Sequence, residues 1–296
     1  MNMERRESRW GWLFIAPAFL HLIVFAMIPI MYALGLSLFR TRLVSSEREF
    51  AGLENYSFAL TEPSFLNALW NSARYALLSV PLGLVVALAV AIMVNQKLKG
   101  ITLFRTLYYI PAISSGVAIA MLWQYVYLPE TGMINTALGL LGIDNSTAFL
   151  DRVEWAMWAV VIMSVFTGLG PRMVLFLAGL VGIPQELYEA GALDGATGWR
   201  AFWSITLPML IPTTFFVVVT STISALQIFT PIYMMTRGGP EESTDVVGYH
   251  IYTEAWVNFN TGLASAKSFV LLIAIAAISL VQFRMMKSQL KGYSAA

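Results

Sequence analysis

The stretch that decides the fold is Glu189-Ala-Gly-Ala-Leu-Asp-Gly-Ala-Thr-Gly-Trp-Arg-Ala-Phe-Trp-Ser-Ile-Thr-Leu-Pro208, preceded by Ile183-Pro184-Gln185-Glu186. It is a short, partly polar island between two apolar runs, each long enough to cross a bilayer. Pro184 can open a helix, because the first helical N–H has no intrahelical partner and φ is already set. Asp194-Gly195 and Thr197-Gly198 read as a turn that ends this helix and starts a second. The second is expected to run from about Trp199 until Pro208 and Pro212 interrupt it. Ala190, Gly191 and Ala192 keep one helical face slim enough for another surface to come close. The spacing predicts a helix–turn–helix elbow against a membrane.

The rest of the chain supplies that membrane. Of 296 residues, 58% are hydrophobic and 12% charged, with a mean hydropathy of +0.69. A soluble domain carries about 25% charged residues, so most of this surface must face lipid. A net charge of +1 gives no reason to expect nucleic acid, and the absence of cysteine excludes disulfides, thiol ligands and thiol nucleophiles. Apolar runs at Leu13–Leu38, Leu69–Val94, Tyr108–Tyr127, Trp155–Val181, Ile211–Met235 and Ala264–Phe283 each reach the roughly 20 residues a crossing needs. The first is too long for a signal peptide and is expected to be retained. The expectation is an all-α polytopic membrane protein with six transmembrane helices. Its expected parts are a tail, first span and outer loop at 1–68, a five-span core at 69–284 carrying the elbow at 182–210, and a tail at 285–296.

Orientation follows from Lys and Arg, which are retained in the cytoplasm. Loops on the amino-terminal side hold Arg5, Arg6, Arg9, Lys97, Lys99, Arg105, Arg200, Arg284, Lys287 and Lys291; the opposite loops hold Arg40, Arg42, Arg48, Arg152 and Arg237. Both termini and the elbow are therefore expected in the cytoplasm of a multi-pass cell-membrane protein. All 17 acidic residues lie outside the six spans. A proton-driven carrier usually keeps an ionisable carboxylate within the membrane, and none is placed there. Arg74, Arg172 and Lys267 sit near span ends and read as anchors reaching the interface.

No phosphate-binding GxxxxGK[ST] loop, HExxH, GxSxG or Cys/His cluster occurs. No catalytic residue, cofactor or metal ligand is expected, so the chain is not read as an enzyme, and any energy must come from a partner. A pathway for a polar solute is the remaining chemistry. Ser221, Ser224 and Gln227 in span five could replace water around a neutral polar solute, gathered by a kink before Pro231. Ser164 and Gly168 in span four could face the same cavity. Helix–helix hydrogen bonding, often only ~0.6 kcal/mol per bond in a membrane, is an equal alternative. Trp123, Tyr125 and Tyr127 could stack on sugar rings, although an interfacial belt is the favoured reading.

The order Glu189-Ala190, Asp194-Gly195-Ala196, Ile205 with nine residues between it and Gly195, then Leu207-Pro208 resembles the EAA loop of ABC importer permeases. The departure is Gly191, where the family more often has Ala; Gly lowers helix propensity by ~1 kcal/mol. Thr236-Arg237-Gly238-Gly239-Pro240, Tyr249-His250-Ile251-Tyr252, Gly262-Leu263-Ala264-Ser265-Ala266 and Tyr108-Tyr109-Ile110-Pro111 are similar to the sugar-importing branch. The resemblance covers nearly the whole chain, most firmly from residue 69 to 284. It implies the type I permease fold and transport of a carbohydrate, sugar derivative or glycerol 3-phosphate-like solute. It also implies a second permease of different sequence, two ATP-binding subunits holding ATP and Mg²⁺, and an extracytoplasmic solute-binding protein. Glu189, Ala190, Gly191, Asp194, Gly195, Ile205, Leu207 and Pro208 would then form the ATPase-coupling loop. A secondary carrier, or a non-transport membrane scaffold, is the alternative reading.

Overall fold

The computed structural model describes residues 3–42, 48–96, 100–143 and 146–293. Lys97 and Lys99, counted above among the loops on the amino-terminal side, lie outside the described residues. The chain opens with α1 (Met3–Leu22), a π-helical turn (Ile23–Met27) and α2 (Ile28–Ser37). A two-stranded antiparallel hairpin follows, β1 (Phe39–Thr41) with β2 (Arg48–Phe50), pairing Arg40 with Glu49. Next come α3 (Glu54–Thr61), α4 (Pro63–Val94), α5 (Ile101–Ile113), α6 (Gly116–Val126), α7 (Met133–Leu140), α8 (Val153–Thr167) and α9 (Leu169–Val181). The elbow is α10 (Gln185–Leu193), α11 (Gly198–Ala201), a π-turn (Phe202–Thr206) and α12 (Leu207–Met209). The chain ends with α13 (Ile211–Leu226), α14 (Thr230–Met235), α15 (Val247–Tyr252), a third π-turn (Thr253–Val257) and α16 (Thr261–Tyr293).

Three stretches, Phe14–Ser37, Pro63–Val94 and Thr261–Met286, are helices long and apolar enough to cross a membrane, and six crossings result when each of three bent pairs is one span. The bends have local causes. Ser114 and Ser115 are both extended, so α5 and α6 meet at 102° and the expected continuous third span is broken. At the 49° bend between α8 and α9, Thr167 Oγ1 donates back to the carbonyls of Met163 and Ser164 at 3.2 Å, a contact that bends helices. Two prolines follow π-turns at the same offset. Ile28 N–H reaches Ile23 O just before Pro29, and Leu207 N–H reaches Phe202 O just before Pro208. The wider turn absorbs the bond that proline cannot make. Pro208 therefore does not end the second elbow helix, which continues to Met209 before bending by 64° into α13.

The chain forms two compact units, Met1–Glu62 with Ile251–Ile273, and Pro63–His250 with Ala274–Ala296. In the first, α1 and α2 expose large apolar side chains on every side, among them Phe14, Phe25 and Met31, as a helix surrounded by lipid would. Asn55 Nδ2 donates to the carbonyls of Ser37 (2.8 Å) and Phe39 (3.0 Å), fixing the hairpin to the end of α2. Lys267 corrects the anchor reading. It is fully buried, ion-paired with Glu62 at 2.7 Å and hydrogen-bonded to Glu254 at 2.9 Å. A lone buried ammonium would be costly, and two carboxylates compensate it.

The second unit is built around α4. Its buried face carries small residues four apart, Ala68, Ser72 and Ala76, then Ser79, Gly83, Ala87 and Ala91. Small residues let helix backbones approach, the main source of packing energy when lipid is as apolar as the side chains. α9 and α13 lie along this face. Gly170 plays the same part between α9 and α5: a Cβ there would fall 2.6 Å from Tyr108 O and 2.8 Å from Tyr109 Cα. Away from the elbow, Asn71 Nδ2 donates to the carbonyls of Glu242 (2.8 Å) and Asp245 (2.9 Å), and Ser72 Oγ accepts Val247 N–H at 2.9 Å. These bonds staple the loop after α14 onto α4. Tyr127 is buried, unlike the exposed Tyr125; its hydroxyl donates to Ala159 O at 2.9 Å, and its ring packs on Trp123.

Candidate functional site: an elbow on the membrane core

The first elbow helix ends in a complete left-handed cap. Gly195, at φ +77°, gives its N–H to Ala192 O at 3.1 Å, and Ala196 N–H reaches Gly191 O at 2.7 Å. These are the two bonds of a Schellman motif, which satisfies carbonyls a helix end leaves open. The Asp194-Gly195-Ala196 sequence is explained by it: glycine occupies the left-handed position that costs other residues about 1–2 kcal/mol. The chain then turns through extended Thr197 into α11.

The two arms are held together by side chains. Tyr188 Oη and Thr206 Oγ1 lie 2.9 Å apart. Ile205 occupies the notch opposite Gly191, where a Cβ would come 2.5 Å from Ile205 Cδ1. Gly191 thus admits a neighbour within the elbow. Between the arms lies a hollow of about 450 Å³ whose lining includes Gly191, Asp194, Arg200, Ile205 and Pro208. Glu189, Ala190, Asp194 and Gly195 are exposed at the tip, while Gly191, Ile205, Leu207 and Pro208 are half-buried at the root.

That root is continuous with the membrane core. Ala87, Ala91 and Val94 of α4 pack with Leu169, Met173, Phe176 and Leu180 of α9 and with Ile183 and Leu210 at the two ends of the elbow; Tyr188 and Ile205 lean on the same cluster. Displacing the tip therefore acts on close-packed side chains that belong to α4 and α9, and such packing transmits strain.

The expected solute-lining residues are only partly assembled. Ser221 is buried, whereas Ser224 and Gln227 are exposed, and α13 ends at Leu226, just before Gln227. The helix breaks between Leu226 and Thr230, just before Pro231. Ser221 Oγ accepts from Arg172 Nε at 3.1 Å. Gly168 lies against the same guanidinium, since a Cβ there would come 2.8 Å from Nη1. Ser164 approaches the Tyr75 hydroxyl, and Tyr75 lies beside Arg172. Arg172 is thus the centre of this group rather than an anchor reaching for the interface. Its partners Ser221 and Tyr75 are 49 and 97 residues away in sequence, so only the tertiary fold reveals them.

Residues 79–292 match the family described as binding-protein-dependent transport system inner membrane component. The "Probable ABC transporter permease protein YesP" of Bacillus subtilis (strain 168) is 34% identical over 284 residues, 95% of this chain and 91% of its own. The lactose transport system permease protein LacF of Rhizobium radiobacter is 34% identical over 286 residues, covering 95% of each chain. The sn-glycerol-3-phosphate transport system permease protein UgpA of Agrobacterium fabrum is 32% identical over 279 residues, 94% of each. The fold matches a chain of a bacterial ABC transporter involved in the import of the acidic polysaccharide alginate, with a TM-score of 0.83, 23% identity, and coverage of 97% of this chain and 99% of that one. Elbow, small-residue spine and bent spans together belong to one architecture, and the chain is a member of the binding-protein-dependent transport system inner membrane component family, the permeases of ABC importers.

Proposed function

We propose that this permease carries a carbohydrate or sugar derivative across the cytoplasmic membrane, driven by ATP hydrolysed on partner subunits. The relatives named for lactose and sn-glycerol-3-phosphate support the solute class. The observation that carries the mechanism is the continuity from the exposed Gly195 cap through Tyr188 and Ile205 into the α4–α9 core. In this reading the tip docks on an ATP-binding subunit, with Glu189 available for a charge pair. A second permease of different sequence completes the passage, and an external binding protein delivers the solute. ATP and Mg²⁺ sit on the two ATPases, and both termini are cytoplasmic. ATP can drive transport only by favouring one conformer, and the loaded binding protein must favour the same one, because coupling is reciprocal.

The experiment is co-purification followed by reconstitution. The complex is expected to retain an ATPase, to hydrolyse ATP faster when the binding protein is loaded, and to accumulate saccharide only with ATP. Solute uptake by the purified chain without an ATPase would refute the assignment.

A further inference from the structure

The Arg172 guanidinium is held as a binding group is held. Its Nε is fixed by Ser221 on α13 at 3.1 Å. Its Nη1 is sealed between Gly83 of α4 and Gly168 at the α8–α9 break; a Cβ at either glycine would collide with it. Nη1 is buried yet has no hydrogen-bond partner among the described residues. The residue as a whole is only half-buried, so the cradle orients the fork without enclosing all of it. The phenol of Tyr75 lies alongside.

Apart from Glu154 in the first turn of α8 no acidic residue lies in the six spans, and among the described residues no carboxylate is ion-paired with Arg172. A charge held within a membrane protein is costly, and it ordinarily marks a substrate or ion path. Arginine's planar fork suits carboxylate and phosphate oxygens, and such charge-assisted bonds are roughly twice as strong as neutral ones. A neutral solute would leave the net charge of the guanidinium uncompensated, whereas a carboxylate or phosphate neutralises it.

We propose that Arg172, oriented by Ser221 and seated in the Gly83–Gly168 cradle, recognises an oxyanion, a carboxylate or phosphate, carried on the transported saccharide. The inference rests on the carbohydrate-permease reading and narrows it to acidic or phosphorylated sugars.

The test uses the complete importer with its own binding protein in proteoliposomes. Three probes are compared for stimulated ATP hydrolysis and uptake: a galacturonic acid trisaccharide, glucose 6-phosphate and neutral maltotriose. The expected result is a response to the uronate or to the sugar phosphate, and which of them responds identifies the oxyanion. Arg172→Gln should raise the KM for that probe about tenfold or more, the loss expected for a hydrogen bond to a charged group. Arg172→Lys, which keeps the charge, should lose less. Gly83→Ala, which pushes on the guanidinium from α4, should shift KM in the same direction as Arg172→Gln. A merely structural arginine would instead reduce complex assembly or kcat at unchanged KM, and that pattern overturns the proposal. Stimulation by maltotriose alone would also overturn it while leaving carbohydrate import standing. A response to none of the three saccharides would overturn the inference and leave carbohydrate import to the reconstitution test above.

Discussion

Gly195 offers the sharpest prediction about the elbow. Its φ of +77° lies in the left-handed region, and a Cβ built there meets nothing within 4 Å. Gly195→Ala therefore carries only the backbone cost of that region, about 1–2 kcal/mol. Spent on the closed cap, this corresponds to a factor of about 5–30 in its population. Asn enters the left-handed region more readily, so Gly195→Asn should lose less. Gly195→Pro should lose most, because proline cannot take positive φ and deletes the N–H given to Ala192, an effect of about 3 kcal/mol or more. The assay is retention of the ATPase subunit on the purified permease across a dilution series, with solute-stimulated hydrolysis measured on the same samples. The expected order is Gly, Asn, Ala, Pro, with Ala reduced by no more than about thirtyfold. Equal behaviour of all four, or an alanine variant as inactive as proline, would refute a role for the cap as a backbone device.

Three further expectations follow from packing. Lys267→Met should leave Glu62 and Glu254 facing each other without the ammonium, costing about 3–5 kcal/mol; a lower yield of folded permease in membrane extracts, partly restored by Lys267→Arg, is the readout. Gly170→Ala should push α9 from α5, because the blocking atoms are backbone, and overpacking of this kind costs about 1–3 kcal/mol; thermal unfolding in detergent measures it. Asn71→Ala removes both bonds to the loop after α14 and leaves the Asp245 carbonyl unanswered, while Glu242 O keeps Asn67 Nδ2 and Asp245 N–H, at about 1–3 kcal/mol; faster protease cleavage between residues 237 and 245 would register it, and unchanged cleavage would argue against the staple.

What the sequence made legible, and what it concealed, divides by distance along the chain. Apolar runs and the glycine that follows α10 are local signals, so the spans and the turn at Asp194-Gly195 could be read directly. Bends escaped, because hydropathy is blind to direction: the runs through Ser114-Ser115 and Gly168 are unbroken in composition yet turn by 102° and 49°. Pro208 misled for a related reason, since a π-turn two residues earlier removes its penalty. The two cations were misjudged because their partners are remote, Ser221 for Arg172 and Glu62 for Lys267. Of the expected solute residues, Ser221 and Gly168 meet at Arg172, while Ser224 and Gln227 are exposed near the end of α13.

The central claim is that the elbow faces the cytoplasm and meets an ATPase there. The chain has no native cysteine, and Leu193 at the tip is 91% exposed, so Leu193→Cys gives a single reactive site on the elbow. A membrane-impermeant maleimide is expected to label it in inverted vesicles and not in intact cells, and a short bifunctional reagent should link it to the ATPase subunit. Labelling from the outside of intact cells would contradict the account.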